Sequence, residues 1–325
     1  MLSGTGIGVE GGHMIENDMK KLDSLQKRGA LEIIALRNPS QMVLATNYKQ
    51  VKKGIRQEKL VALIGVEGGH MIENDMKKLD SLQKRGMRYM TLTWNNSTPW
   101  ATSAMDETQH ADSLSHKGLT AFGKQIVRRM NELGVIVDLS HTGERTFYDA
   151  IATTTKPVLL SHSSVWNICP VFRNVKDEQI KAVAKNGGVI CINFYSGFLD
   201  SNFAKKMDQL EGTEGQRIKD SLGKNVDASK LNEMWAKYFS QKLEPYRPSI
   251  SKLVDHIDYI VKLVGDDYVG IGSDFDGVSS VPVGMDDVTK YPLITDELKR
   301  RGYSNKSIKK ILGGNVMRVM KANFK

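Results

Sequence analysis

The stretch GLTAFGKQIVRRMNELGVIVDLSH, residues 118–141, decides the fold class. In its first half Phe122, Ile126 and Met130 recur at the spacing that places apolar side chains on one face of a helix. Its second half, residues 134–139, is a nearly unbroken apolar run, which is typical of a strand buried on both faces. A histidine follows directly. The stretch therefore predicts a helix that packs on a buried parallel strand with a polar group at the strand's end.

The same unit recurs along the chain from residue 60 onward. Five further apolar runs rich in valine, isoleucine and leucine lie at 60–66, 87–93, 157–160, 187–194 and 268–272. Helical patterns separate them, as in parallel β/α architecture. A short run at 42–46 is predicted to be an isolated strand. Six strong strands fall short of the eight of a closed barrel, so we predict an α/β fold, a TIM-type (β/α)8 barrel whose first β/α units are missing or replaced.

The bulk composition is that of an ordinary globular chain. Hydrophobic residues make up 40% and charged residues 26% of the 325 residues. No apolar run reaches the ~18–20 residues of a membrane span. No signal peptide is visible, but the N-terminus is anomalous because its residues recur later in the chain, so a cytoplasmic and an exported location both stay open. The net charge of +9 resides in the tail, where nine bases and no acid follow Glu297. A solvated helical face explains this tail better than nucleic-acid binding, because no recognition motif accompanies it. Cys169 and Cys191 are predicted to be buried free thiols.

Polar residues stand at the carboxyl ends of the predicted strands, where a barrel carries its chemistry. In chain order, these strand-end residues are Glu67, Trp94, His141, His162, Tyr195 and Asp274. Carboxylate and imidazole side chains are therefore predicted to meet on one rim. Glu67, His141 and His162 suit a divalent metal such as Zn²⁺. Histidines at the ends of two consecutive strands favour a metal centre over two unrelated core histidines.

Other polar residues near the rim have more than one interpretation. His70 follows two glycines and is predicted to support the rim from behind the ligands. Arg173 is either a surface residue or a group that binds a substrate carboxylate. Asp274 is a ligand, a general base or a turn residue, since Asp-Gly sequences are common in turns. The histidines outside the rim are predicted to have no catalytic role: His13, His110, His116 and His256.

Five motifs in register resemble those of a known family. They are GVEGGH (65–70), RYMTLTWNNSTPWA (88–101), the stretch 118–141, PVLLSHSS (157–164) followed by RNV (173–175), and GIGSDFDGV (270–278). In this order they are similar to the membrane (renal-type) dipeptidase family, peptidase family M19, from about residue 30 to the C-terminus. The resemblance implies a (β/α)8 barrel with a two-zinc site that hydrolyses dipeptides, often with a D-residue at the C-terminal side.

The resemblance also implies roles for individual residues. Glu67 resembles the carboxylate that bridges the two zinc ions, and His141 and His162 resemble the histidine ligands of one of them. Arg173 looks like the arginine that binds the carboxylate of the dipeptide. Asp274 looks like the catalytic aspartate, which takes a proton from the metal-activated water and passes it to the leaving amine.

The chain departs from the family pattern in two ways. No His-x-Asp pair precedes Glu67, so the second zinc lacks the two ligands that the family supplies from its first strand. Better-known members carry a histidine where this chain has Trp94, whose indole can donate a hydrogen bond but cannot bind a metal. Trp94 and Tyr195 are therefore predicted to contact substrate, with a preference that can differ from that of other members.

An exact internal copy occupies the place of the missing pair. Residues 7–29 and 64–86 are identical. Repeat folds need several diverged units, so two perfect copies indicate a recent duplication or a sequence-assembly error. Only the second copy stands in order with the other motifs, so we assign chemistry to Glu67 and none to Glu10. Residues 1–29 are predicted to be an anomalous duplicate, and 30–325 a single metallo-hydrolase barrel domain.

Three functional alternatives stay open from the sequence. The leading one is a zinc dipeptidase whose partner is a small dipeptide, without nucleic acid and without a transmembrane span. The missing His-x-Asp pair favours a second, a catalytically impaired barrel that acts as a binding protein. The third is another metal-dependent amidohydrolase on the same fold. A homodimer is the default assembly, because such dimers are the commonest state of soluble enzymes.

Overall fold

The structure is a computed structural model that describes residues 30–222 and 238–324. The predicted duplicate at 1–29, including Glu10 and His13, lies outside the described residues. Within them, no helix combines the length and the apolar character needed to cross a bilayer.

The strands of the described residues form two parallel sheets in chain order. The strands are β1 Met42–Leu44, β2 Leu60–Ala62, β3 Ile64–Val66, β4 Met87–Thr91, β5 Ile136–Asp138, β6 Leu159–Leu160, β7 Val189–Asn193 and β8 Val269–Gly272. Strands β1 and β2 pair with each other, and β3 to β8 form a six-stranded sheet in which neighbours along the chain are neighbours in the sheet. Repeated β/α units of a barrel produce this strand order.

Helices follow most of the strands, as the alternating pattern predicts. They are α1 Ala30–Arg37, α2 Tyr48–Arg56, α3 Met76–Lys84, α4 Ala104–Gln109, α5 Ala121–Leu133, α6 Glu144–Thr153, α7 Asp177–Asn186, α8 Ser196–Leu199, α9 Ser201–Leu222, α10 Ile250–Val264, α11 Tyr291–Arg300, α12 Asn305–Lys309 and α13 Asn315–Asn323. Residues 238–243 are helical as well.

The deciding stretch folds as predicted, with clear start and stop signals. Thr120 caps α5 by accepting a hydrogen bond from the Gly123 amide at 3.2 Å. Gly134 ends the helix in the left-handed region, at φ 71°. Ile126 and Met130 are fully buried, and they turn the helix toward β5. The chain thus reaches β5 with its polar end directed at the rim.

Residues 60–66 contribute strands to two sheets, although the sequence predicts a single strand there and an isolated strand at 42–46. Its first half, β2, pairs with β1, whereas its second half, β3, pairs with β4 after a register shift at Ile64 and Gly65. The strand at 42–46 is therefore paired and not isolated. The shift needs a glycine, since a Cβ on Gly65 would lie 2.0 Å from the ring of Tyr89.

The six-stranded sheet has two terminal strands, β3 and β8. This is the arrangement expected of a barrel whose first units are missing or replaced. Both cysteines are buried and free, as predicted. Three bases of the tail form ion pairs with nearby acids, since Arg300 contacts Glu297 at 2.6 Å, Arg301 contacts Asp258 at 2.6 Å and Lys310 contacts Asp267 at 2.7 Å.

Candidate metal centre

Three predicted ligands meet at the carboxyl ends of their strands. Glu67 follows β3, His141 follows β5 and His162 follows β6. The Nε2 atoms of the two histidines lie 3.0 and 3.1 Å from Oε1 of Glu67. Ligand atoms of all three residues lie within 4.8 Å of one another. In the part of the chain that the structure describes, they form the single group of three or more such side chains that is arranged to hold a metal ion.

The two glycines after Glu67 let the chain turn sharply beneath the rim. Gly68 has a φ of 93° and donates its amide hydrogen to Thr91 Oγ1. A Cβ on Gly69 would lie 2.5 Å from the Leu92 carbonyl oxygen, so only glycine fits there. His70 then places Nε2 3.2 Å from the Ser97 carbonyl oxygen. It contacts the loop that follows β4, in agreement with a supporting role.

His141 is held from several sides. Its backbone is left-handed, at φ 65°, and Thr93 Oγ1 donates to its carbonyl oxygen at 3.1 Å. Its Nδ1 lies 3.1 Å from Asn95 Oδ1. The ring of Trp94 stacks on the imidazole with 6.1 Å between centroids and 27° between planes. Trp94 therefore contacts a ligand histidine, a neighbour that the sequence does not reveal.

A buried network that sequence reasoning missed joins the end of β5, just before His141, to the turn that carries His162. Asp138 is fully buried, and its Oδ1 accepts hydrogen bonds from the Ser140 and Ser161 amides at 3.0 and 3.1 Å. Ser140 Oγ accepts from the His162 amide at 3.0 Å, and Ser161 Oγ lies 2.7 Å from Nδ1 of the same ring. Asp138 and Ser140 in DLSH, and Ser161 in LLSHSS, are polar residues within or directly after apolar runs. This pattern is the signal in the sequence that could have identified the network.

The charges of the site act on one another. Burial raises the pKa of the Glu67 carboxyl, but hydrogen bonds and charge from His141 and His162 outweigh burial and hold that pKa far below its usual range. Burial, aided by the charge of Arg173, lowers the pKa of His141 well below its usual value. Burial also lowers the pKa of His162, but contacts with Glu67 and Asp274 raise it more. Glu67 is therefore ionised and His141 neutral, the forms in which these groups bind metals, whereas a metal ion at Nε2 of His162 would replace a proton.

The donor atoms fit a divalent cation. When the Nδ1–H of His141 donates to Asn95, the lone pair of Nε2 faces the Glu67 carboxylate. His162 Nε2 is buried and has no well-aligned hydrogen-bond partner among residues 30–222 and 238–324, although Glu67 Oε1 lies 3.1 Å away. An imidazole lone pair and a carboxylate oxygen repel each other when they face each other, and a cation bound between them removes this repulsion. Two imidazoles and one carboxylate are a typical set of zinc ligands.

Arg173 and Asp274 lie within electrostatic reach of this cluster. Arg173 is 5% exposed, packs over the ring of Phe198 at 5.4 Å and points Nη2 toward the His162 carbonyl oxygen at 3.4 Å. Burial lowers its pKa to about 10, so it stays charged at neutral pH. Asp274 follows β8 with a left-handed φ of 59°. The structure thus brings both predicted residues to the rim, and Arg173 is not a surface residue.

Tyr195 lies beside the rim rather than among the ligands. Its ring packs edge-on against Phe198 and Phe203, with centroids 4.9 and 6.2 Å away. Its amide donates to Oδ1 of Asn193, the last residue of β7. Sequence reasoning assigned the end of this strand to Tyr195 and missed Asn193, which is completely buried.

The described histidines outside the rim have other partners. His110 Nδ1 pairs with Asp106 at 3.0 Å. His116 Nδ1 lies 3.4 Å from Ser115 Oγ. His256 is buried in α10, where Nδ1 accepts from the Val165 amide and Nε2 lies 3.0 Å from the Leu199 carbonyl oxygen. The two His-x-Asp sequences at 110–112 and 256–258 therefore contribute nothing to the cluster.

Comparison with known proteins connects this site to a family. Residues 30–324 match the profile of the membrane dipeptidase family, peptidase family M19. The chain is 32% identical to Dipeptidase 3 of Rattus norvegicus over 264 residues, which are 81% of this chain and 45% of that protein. The chain therefore spans a little under half of that relative's length.

Solved structures share the fold. The probable dipeptidase PvdM from Pseudomonas aeruginosa superposes with a TM-score of 0.74 at 27% identity, covering 89% of this chain and 76% of that one. A metallopeptidase from Rhodobacter sphaeroides, solved with a phosphinate mimic of the dipeptide L-Ala-D-Ala, gives 0.72 at 21% identity, covering 92% and 74%. Dipeptidases of this family are TIM barrels, which confirms the predicted fold class. Because the profile covers most of its length, this chain belongs to the membrane dipeptidase family, peptidase family M19.

Proposed function

We propose that this chain hydrolyses the peptide bond of small dipeptides at a zinc centre held by Glu67, His141 and His162. The observation that carries the proposal is the convergence of these three side chains within 4.8 Å, beside the buried guanidinium of Arg173. The family is one of metal-dependent dipeptidases, and the relatives named above are described as dipeptidases.

Each residue has a defined task in this proposal. A zinc ion bound there would supply a Lewis acid and lower the pKa of a bound water to near neutrality. Asp274 accepts the proton of the attacking water and returns it to the leaving amine, as a general base and then a general acid. Its carboxylate is fixed for this task, since Oδ2 accepts a hydrogen bond from Asn193 Nδ2 at 2.9 Å.

Arg173 is proposed to bind the carboxylate of the dipeptide. Its guanidinium is buried at the rim and carries positive charge toward Glu67 and Asp274, and a planar fork suits bidentate recognition of a carboxylate. Trp94 contacts His141 of the cluster and Tyr195 follows β7, and both are proposed to contact the substrate. Trp94 stacks on His141, so it also fixes that ring.

We infer one zinc ion per chain at this cluster. A catalytic zinc ion is bound by three protein ligands and keeps its fourth position open for water. Two histidines and one carboxylate are therefore enough for one such ion. The described residues hold no second cluster that could bind another ion. This same observation favours the second candidate function, a barrel that binds dipeptides at the rim and hydrolyses them poorly or not at all.

One experiment separates the two candidates. Zinc per chain is measured by mass spectrometry on the purified protein, and hydrolysis is assayed with L-Ala-L-Ala and L-Ala-D-Ala. Turnover that disappears on chelation and returns with zinc supports the dipeptidase. Calorimetric binding of either dipeptide to the zinc-loaded chain without release of alanine supports the binding protein. Absence of zinc binding overturns the dipeptidase, and absence of dipeptide binding overturns the binding protein. Light scattering of the same sample tests the proposed homodimer.

A further inference from the structure

Asn193 occupies the end of β7 and is completely buried. Its amide oxygen accepts the Tyr195 backbone hydrogen at 2.5 Å. That bond fixes which end of the amide is the oxygen, because a backbone N–H can only donate. The Nδ2 group must therefore point the other way, where it lies 2.9 Å from Oδ2 of Asp274.

The neighbouring strand brings Asp274 to this donor. Strands β7 and β8 pair with Asn193 opposite Gly272, two residues before Asp274. A Cβ on Gly272 would lie 1.9 Å from the Ser161 carbonyl oxygen, so the glycine lets β8 approach the turn that carries His162. The charge of Asp274 acts to raise the pKa of His162 and that of Arg173, so both groups lie within its electrostatic reach.

We infer that Asn193 is a positioning residue that holds the Asp274 carboxylate toward the reacting centre. The inference rests on the proposed function of Asp274 as the general base. Asp274 adopts a left-handed backbone that costs free energy, and one side-chain donor with a fixed orientation keeps its carboxylate in a single rotamer. The second oxygen, Oδ1, is then the atom that exchanges the proton with the water and the leaving amine.

The test compares Asn193→Ala with the isosteric Asn193→Asp. Alanine removes the donor, and aspartate keeps the shape and the acceptor for Tyr195 but faces Asp274 with a second carboxylate. A hydrogen bond to a charged group is worth a factor of roughly 10 to 100 in rate. We expect kcat to fall by about that factor in Asn193→Ala and further in Asn193→Asp, with KM and zinc content unchanged. Asn202→Ala, at an exposed asparagine, is the matched control.

A double-mutant cycle tests whether Asn193 acts through Asp274. If it does, Asn193→Ala has no further effect on kcat in an Asp274→Asn background, because the group it positions is gone. Equal losses of kcat in both backgrounds, or a loss that follows a lowered melting temperature alone, overturn the inference.

A measurement independent of turnover keeps the two proposals separable. Crystal structures of the wild-type and Asn193→Ala chains show where the Asp274 carboxylate lies. A rotated or disordered carboxylate in the variant supports positioning even if the wild type hydrolyses no dipeptide, a result that would count against the proposed function only. An unmoved carboxylate contradicts the role of Asn193.

Discussion

The carboxylate of Glu67 faces both histidines that are proposed as metal ligands. Glu67→Gln keeps the shape and removes the charge, so we expect zinc content to fall below half and kcat/KM to drop by more than about 100-fold, the upper range for residues that only support ligands. The sequence offers a matched control in Glu10→Gln, which lies in the identical heptapeptide of the other copy and is predicted to change neither quantity. Equal effects of both substitutions would contradict the assignment of chemistry to Glu67 alone.

Arg173 is buried, and its planar guanidinium cannot be replaced by a point charge without loss. Arg173→Lys is expected to raise KM for L-Ala-D-Ala roughly 10-fold or more, since one of two parallel hydrogen bonds to the substrate carboxylate is lost. Steady-state kinetics measure this. Arg145→Lys, at a side chain that is 66% exposed, serves as the control. An unchanged KM with a reduced kcat would assign Arg173 to the chemical step rather than to binding.

The meeting of Glu67, His141 and His162 could be predicted from the sequence, whereas the side chains that support them could not. Glu67, His141 and His162 follow apolar strands directly, and the ends of parallel strands meet at one edge. Asp138 and Asn193 lie inside the strands themselves, where a polar letter in an apolar run has no fixed meaning. Their roles depend on which amide or carboxylate the neighbouring strand brings near, and register is not visible in the sequence.

At the scale of elements, the absence of a side chain at Gly69 lets the turn that follows β3 pack closely against the segment that follows β4. Gly69→Ala forces its Cβ to within 2.5 Å of the Leu92 carbonyl oxygen and of the Trp100 ring. We expect a loss of roughly 1–3 kcal/mol in the free energy of unfolding, the usual cost of overpacking. Gly212→Ala in α9 meets nothing within 4 Å and is expected to stabilise by up to about 1 kcal/mol. Urea denaturation of both variants measures the contrast, and a neutral Gly69→Ala would contradict the close approach.

His256 joins α10 to two segments of the rim and makes that junction sensitive to acid. Burial lowers its pKa from 6.5 to about 4, against a smaller opposing effect of its bond to Leu199. The folded state therefore keeps the ring neutral, whereas the unfolded chain takes up a proton below pH 6.5. The neutral ring makes its full contribution to stability above pH 6.5. As the pH falls toward 4, the free energy of unfolding decreases by up to about 3 kcal/mol.

This acid dependence can be measured on the metal-free protein by urea denaturation at several pH values. The wild type is expected to lose stability more steeply between pH 6.5 and pH 4 than His256→Gln, whose amide does not titrate. His110→Gln changes a side chain that is 56% exposed, and it should leave the wild-type slope unchanged. A slope that His256→Gln does not reduce would contradict the assignment.

The ends of helices and strands depend on caps and contacts that the periodicity of hydrophobic residues does not show. The helix α5 begins and ends near the predicted positions because Thr120 and Gly134 mark its ends chemically. The run at 60–66 is one strand by composition but two by pairing, since its first half pairs with β1 and its second half pairs with β4. No periodicity within the run signals this change of partner strand.

At the scale of the whole molecule, residues 30–325 are predicted to form a single barrel domain, and the family match begins at residue 30. A chain that lacks residues 1–29 is expected to keep its melting temperature within about 2 °C and to retain its zinc content and kcat/KM, because the duplicate is predicted to be separate from the barrel domain and truncation beyond a domain costs little stability. Differential scanning calorimetry and the assays above check this. A chain that fails to fold or to bind zinc without residues 1–29 would show that the copy replaces a barrel unit.

The left-handed backbone at His141 and Asp274 has a consequence for how this protein can change. Glycine at either position would relieve a strain of roughly 1 kcal/mol and at the same time delete a functional group. Selection for robustness alone would therefore drive both positions toward glycine, whereas selection for turnover retains the costly residues. At these two positions a substitution by glycine is expected to favour stability and to abolish activity. A directed-evolution programme that screens only for heat resistance should lose the site there first.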